Sequence, residues 1–172
     1  MMSRAVQLAL IIGAIGFWSA GVAPVWAEGD DPKALAAALK DATATLQGGL
    51  SASEPQGTPI SAKFEIEDGK LQLSVYTMKG NDFMEVVADP KTGAIAKAEK
   101  ITDADDLKAS AWQKAAMAKA KVSLLTATET AVKGSPGFRA VSILPELKGG
   151  NAVAEVTLLQ GSMFKKVTEK LD

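Results

Sequence analysis

Four acidic residues are the first to test for chemistry: Glu65, Glu67 and Asp68 fall within four positions, and Glu146 stands 81 residues after Glu65. Two carboxylates facing each other could serve as the acid and base of glycoside hydrolysis. These four, however, sit on the polar side of alternating strand-like runs, where solvated carboxylates keep ordinary acidities and do little catalysis. The chain contains no histidine and no cysteine. It therefore lacks the usual general base near neutral pH and the commonest ligands for zinc, haem and iron–sulfur centres.

The other candidates fare no better. Asp103, Asp105 and Asp106 have the oxygen ligands that calcium prefers, but not the glycine and distal glutamate of an EF-hand loop. A helix N-terminus accounts for all three acids, and equally for Glu28, Asp30 and Asp31. Met78, Met84, Met117 and Met163 could hold a soft metal if they converged; scattered as they are, they read as core fillers. Trp112 is expected to pack on a sheet rather than form a ligand platform. Ser61-Ala62-Lys63 is not a Ser-x-x-Lys dyad, and there is no phosphate loop or nucleophile elbow. The sequence thus assigns no catalytic residue, no cofactor-binding residue and no metal ligand, and reads as a non-enzyme.

The elements that would position any site begin after an export leader. One positive charge at Arg4, the apolar run Ala5 to Phe17, and Val25-Trp26-Ala27 before Glu28 make residues 1–27 a cleavable signal peptide, cut after Ala27. An uncleaved anchor is the alternative, because the apolar run approaches the roughly 20 residues of a spanning helix. Cleavage leaves a periplasmic or secreted chain. Removing Arg4 leaves 18 Lys+Arg against 20 Asp+Glu. That near balance lacks the basic face needed for nucleic acid. With no disulfide available, the core alone must supply stability.

A gap-free shift of 81 lays the second half on the first. It matches Lys33/Lys114, Ala37/Ala118, Pro55/Pro136, Ser61/Ser142, Glu65/Glu146, Gly69/Gly150, Val75/Val156, Gly80/Gly161, Phe83/Phe164 and Val86/Val167. Such matches through helix, turns and strands indicate a duplicated unit. In the first unit, residues 28–101, Asp31 caps a helix with Pro32 at its first position, and Leu35, Leu39, Ala42, Leu46 and Leu50 mark one apolar stripe to Gly48-Gly49 or just beyond. Alternation from Ile60 to Glu67 and from Leu71 to Val75 around Asp68-Gly69 predicts a hairpin. Phe83 to Ala88 adds a third strand, and Ile95 to Ile101 is a further short edge strand. In the second unit, residues 102–172, Thr102-Asp103-Ala104-Asp105 resembles a capping box opening a helix from about Asp105 to Val132. Strands follow over Phe138 to Leu147, Ala152 to Leu159 and Met163 to Lys170. The expected fold is α+β: two tandem repeats, each one helix on a three-stranded antiparallel sheet, packed together at their sheet edges.

Glu67-Asp68-Gly69-Lys70-Leu71 at the hairpin and Val86-Val87-Ala88-Asp89-Pro90-Lys91-Thr92-Gly93-Ala94-Ile95 after the third strand resemble the PepSY domain family, whose closing corner is occupied here by Asp89, Thr92 and Gly93. The second unit ends at Lys170-Leu171-Asp172 without the Thr-Gly pair. The resemblance implies a cystatin-like module of an exported protein, of the type also found in propeptides of thermolysin-type metalloproteases. It implies binding or modulation of a peptidase or other envelope protein, and transfers no catalytic residue. The expected partner is an exported or envelope protein, with no nucleic acid and no membrane contact after cleavage. Two other readings stay open. One is a small-molecule or lipid carrier using the groove between helix and sheet, motivated by the small side chains of the Ala-rich stretch Ala34 to Ala44; the other is an enzyme working through Glu65 or Glu146.

Overall fold

The computed structural model describes residues 31–172, so the signal-peptide assignment, Glu28 and Asp30 lie outside the described residues. Seven strands form one antiparallel sheet: β1 Thr58–Glu67, β2 Lys70–Lys79, β3 Asp82–Ala88, β4 Ile95–Lys100, β5 Arg139–Lys148, β6 Asn151–Gln160 and β7 Met163–Lys170. Their order in space is β4-β3-β2-β1-β5-β6-β7. Among the described residues four α-helices accompany them: α1 Pro32–Ala38, α2 Leu46–Ser53, α3 Ala104–Met117 and α4 Leu124–Lys133.

The architecture is α+β, but it is not two three-stranded repeats standing side by side. Four strands precede α3 and three follow α4, and β1 joins β5 through Ala62 opposite Ile143 and Lys63 opposite Ser142. A free edge on β1 or β5 would present unpaired N–H and C=O groups; joining them removes both edges and makes one sheet. The bounds of β5 and β6 fall 81 residues after those of β1 and β2. Both β1 and β5 carry a register shift at corresponding places, between Pro59 and Ser61 and between Ala140 and Ser142. Ala62 therefore faces the residue 81 places after it, and a local two-fold axis runs through this pair.

Residues paired across strands share a face. On one face Ala62, Phe64, Leu73, Val75, Val86, Ile143, Val156 and Leu158 are almost fully buried and form one core with Leu46 and Leu50 of α2 and Leu124, Ala127 and Ala131 of α4. α2 sits so close that a Cβ on Gly49 would lie 2.4 Å from Leu73 Cδ2. Gly49 is therefore inside a helix, where its missing side chain lets helix and sheet meet, rather than at a helix end.

Each expected long helix is broken. The first becomes α1, a 3-10 turn over Leu39–Asp41, an extended stretch from Ala42, and α2 capped by Thr45, whose Oγ1 accepts from Gly48 N at 3.0 Å. The carbonyls this break releases are met by Arg139, which donates to Leu39 O at 3.2 Å, Ala42 O at 2.9 Å and Ala44 O at 2.7 Å. Its guanidinium carbon lies 5.3 Å from the centre of the Phe64 ring, and burial pulls its pKa below the usual arginine value. The second helix breaks between Met117 and Leu124. Ser123 caps α4 there, and Lys121 N and Val122 N donate to Leu171 O. At the start of α3 the cap is Asp103 rather than Thr102, accepting from Asp105 N and Asp106 N. Asp31 caps α1 ahead of Pro32.

After β3 the chain turns through Asp89. Its Oδ1 accepts from Lys91 N at 3.0 Å, Thr92 N at 2.7 Å and Thr92 Oγ1 at 2.9 Å, while Gly93 takes φ of 74°. These donors, Thr92 N first, hold the Asp89 carboxyl below the usual carboxylate range.

Candidate functional site

The sheet's second face is lined with polar side chains, and it is covered rather than bare. α3 crosses it, presenting Asp106, Ser110 and Gln113, spaced four and three residues apart and so on one side of the helix. Ser110 and Gln113 are buried. Ser61 Oγ donates to Gln113 Oε1 at 3.0 Å, and the Tyr76 hydroxyl donates to the Asp106 carboxylate. Burial, followed by the charges of Asp106 and Glu85, pushes the Tyr76 hydroxyl well above its ordinary range, so it stays a donor. Trp112, expected against the sheet, points away from it and is 72 % exposed.

Between α3 and the sheet lies a cavity of about 500 Å³. Its walls come from both sides of the β1–β5 seam in corresponding pairs: Ser61 and Ser142, Ala62 and Ile143, Lys63 and Leu144, Ser74 and Glu155, Tyr76 and Thr157. Asp106, Ala109 and Gln113 of α3 and Leu35 of α1 close it. Its location follows from the sheet. β1 and β5 pair through only two residue pairs before their register shifts, and α3 bridges the opening.

Beside the cavity, carboxylate oxygens of Glu65, Glu67 and Glu85 lie within 4.8 Å of one another. Gln72 Nε2 donates to Glu67 at 2.5 Å, to Glu65 at 3.3 Å and to Ser74 Oγ at 3.0 Å. Ser74 is 1 % exposed and its hydroxyl donates to Glu85. Lys63 pairs with Glu65 at 2.5 Å. Burial first, then the charges of Glu65, Glu67 and Asp106, raise the Glu85 carboxyl above its ordinary value, the Ser74 hydroxyl opposing them. Glu155 is paired with Lys166 at 2.5 Å.

Of the acids weighed from the sequence, Glu65 and Glu67 come together here. Glu146 pairs with Lys148 in the other half at 2.7 Å, and Asp68 occupies the hairpin turn with φ of 50°. Asp103 and Asp105 serve the α3 N-terminus, while Asp106 turns to the sheet. Met84 and Met117 pack against the core and Met163 is 57 % exposed. Sequence reading missed Glu85, Tyr76 and Gln113. The signal that could have found them is the polar stripe Asp106, Ser110 and Gln113 in a helix assumed to present an apolar one.

No family model matches the chain, and no curated protein matches it. Among solved structures, the chain is similar to that of a putative lipoprotein from Clostridium difficile 630, at 15% identity and a TM-score of 0.37, over 66% of this chain and 75% of that one.

Proposed function

We propose that this chain is a non-enzymatic, exported binding and regulatory protein of the PepSY type. In this reading residues 1–27 are removed on export and residues 28–101 and 102–172 are two copies of one unit. The partner is an exported or envelope protein, such as a peptidase, that offers an extended segment. The observation that carries the reading is β4: all six of its residues are exposed, and it ends the sheet. Ile101 N donates to Phe83 O, and Ala98 lies opposite Val86. Alternation along an antiparallel ladder then makes Ala98 a position whose N–H and C=O point away from β3. An added strand takes its affinity from such groups and its selectivity from alternating side chains, here Lys97 and Glu99 on one face and Ile95 and Lys100 on the other. These charges also discourage indiscriminate pairing.

Of the alanines that motivate a carrier groove between helix and sheet, Ala36 and Ala42 belong to the core, while Ala34 and Ala37 are exposed.

The test is affinity capture from envelope extract with the native protein and with Ala98→Pro, which removes one outward donor without taking a bond from the β3–β4 ladder. An envelope protein enriched by the first and lost by the second, at equal melting temperature, is the expected result. Equal capture by both, or no enrichment over an unrelated periplasmic domain, counts against the reading.

A further inference from the structure

We infer that the cavity under α3 is a binding site for a small organic cation, an amine carried on an apolar body. This goes beyond the edge-strand reading and uses a different surface. Three observations converge on it.

The first is size and lining. About 500 Å³ lies within the range of pockets that hold small molecules, and the wall is the usual mixture of apolar surface with a few placed polar groups. Leu144 and Ala109 supply apolar wall on the α3 side, the core residues Phe64 and Ile143 line it from across the β1–β5 seam, and Asp106, Tyr76 and Gln113 supply polar contacts.

The second is charge. In and immediately beside the cavity stand the carboxylates of Glu65, Glu67, Glu85, Asp106 and Glu155. The cations facing them are Lys63, engaged by Glu65, and Lys166, engaged by Glu155; Lys97 of β4 is paired with Glu99. Asp106 has the neutral Tyr76 hydroxyl as its donor, and Glu85 has that of Ser74. A guest ammonium reaching the half-buried Asp106 would add an opposite charge where the protein supplies a deficit of cations, and would make a charge-assisted hydrogen bond there.

The third is an unpaired group. Ser110 lies on the α3 stripe between Asp106 and Gln113, is 0 % exposed, and its Oγ has no hydrogen-bond partner. Burying a hydroxyl unpaired costs about 1–3 kcal/mol. Ser110 is not itself part of the cavity wall; its unmet hydroxyl sits on the same side of α3 as the wall residues Asp106 and Gln113, so the polar stripe that faces the cavity is the part of the helix left incompletely satisfied.

The experiment is isothermal titration of the full chain with phenethylamine, and with 3-phenylpropionate as the matched anion. The amine is expected to bind saturably and the anion not to bind. Asp106→Asn is expected to weaken the amine at least tenfold, and Ser142→Tyr, which fills the cavity from β5, to abolish binding. Both variants are to be checked for an unchanged far-ultraviolet spectrum. Ala98→Pro is expected to bind the amine like the native protein, so failure of the edge-strand reading leaves this one standing, and the reverse. Absence of amine binding by the folded native protein, equal binding of amine and anion, or binding unaffected by both cavity variants would overturn the inference. So would calcium binding that Asp106→Asn leaves intact, combined with no amine binding, since that places the cation at Glu65, Glu67 and Glu85 alone.

Discussion

At the scale of single residues, the acidic side of the sheet is held by shared donors rather than by matching cations. Gln72 and Ser74 distribute hydrogen bonds over three carboxylates, and the half-buried Glu85 takes its proton more readily than a free glutamate. Because its folded value lies above its unfolded one, the stability it contributes is present below the ordinary glutamate pKa of 4.5 and is lost as pH rises through the folded value. Glu85→Gln removes that loss while keeping an acceptor for Ser74. The variant is expected to melt a few degrees higher than the native protein at pH 7, with the difference closing toward pH 4, as read by thermal melts across that interval. Asp89 is the opposite case: its turn donors favour the charged form, so its contribution persists at neutral pH and fades in acid.

At the scale of elements, the helices show why periodicity alone overestimated their length. Leu35, Leu39, Ala42, Leu46 and Leu50 do keep one apolar side, and all are buried. Yet the chain leaves the helix after the 3-10 turn because Thr45 offers a cap and Arg139, nearly a hundred residues later, collects the carbonyls at the break. A side chain from another strand cannot be read from the local spacing. Arg139→Ala leaves those carbonyls without their charged donor, a loss of about 1.5–3 kcal/mol on the scale of hydrogen bonds to a charged group. Arg139→Lys is expected to recover only part of it, because one ammonium cannot span three carbonyls with a planar fork. Urea unfolding of the two variants measures both. α3 was misread for a related reason. Trp112 is expected against the sheet, whereas the buried stripe of the helix is polar and Trp112 lies outside it.

At the scale of the whole molecule, α2 and α4 lie in one core with residues of both halves, and β1 uses β5 as its neighbour. A chain ending at Ile101 would expose the β1 edge and the inner surface of α2. A half of this size is marginal even when intact. It is expected to unfold without a sharp transition, or to associate through the freed edge. A half-chain that melts as sharply and as high as the full one in differential scanning calorimetry would show that the halves do not depend on each other.

The sequence by itself determined the local rules. Alternation placed the strands, Asp68-Gly69 and Gly80 placed the turns, Asp31-Pro32 opened α1, and the 81-residue correspondence marked the matching strands. These depend on neighbours a few residues apart or on direct comparison of letters. Only the tertiary structure decided that the strands make one sheet, that α3 covers the polar side, and that Glu65, Glu67, Glu85, Tyr76 and Asp106 meet there. Each of those outcomes depends on which distant groups satisfy a free edge, a released carbonyl or an unpaired acid. That is settled by pairing polar groups in three dimensions, between partners as far apart in the chain as Ser61 and Gln113 or Leu39 and Arg139, which no local window contains.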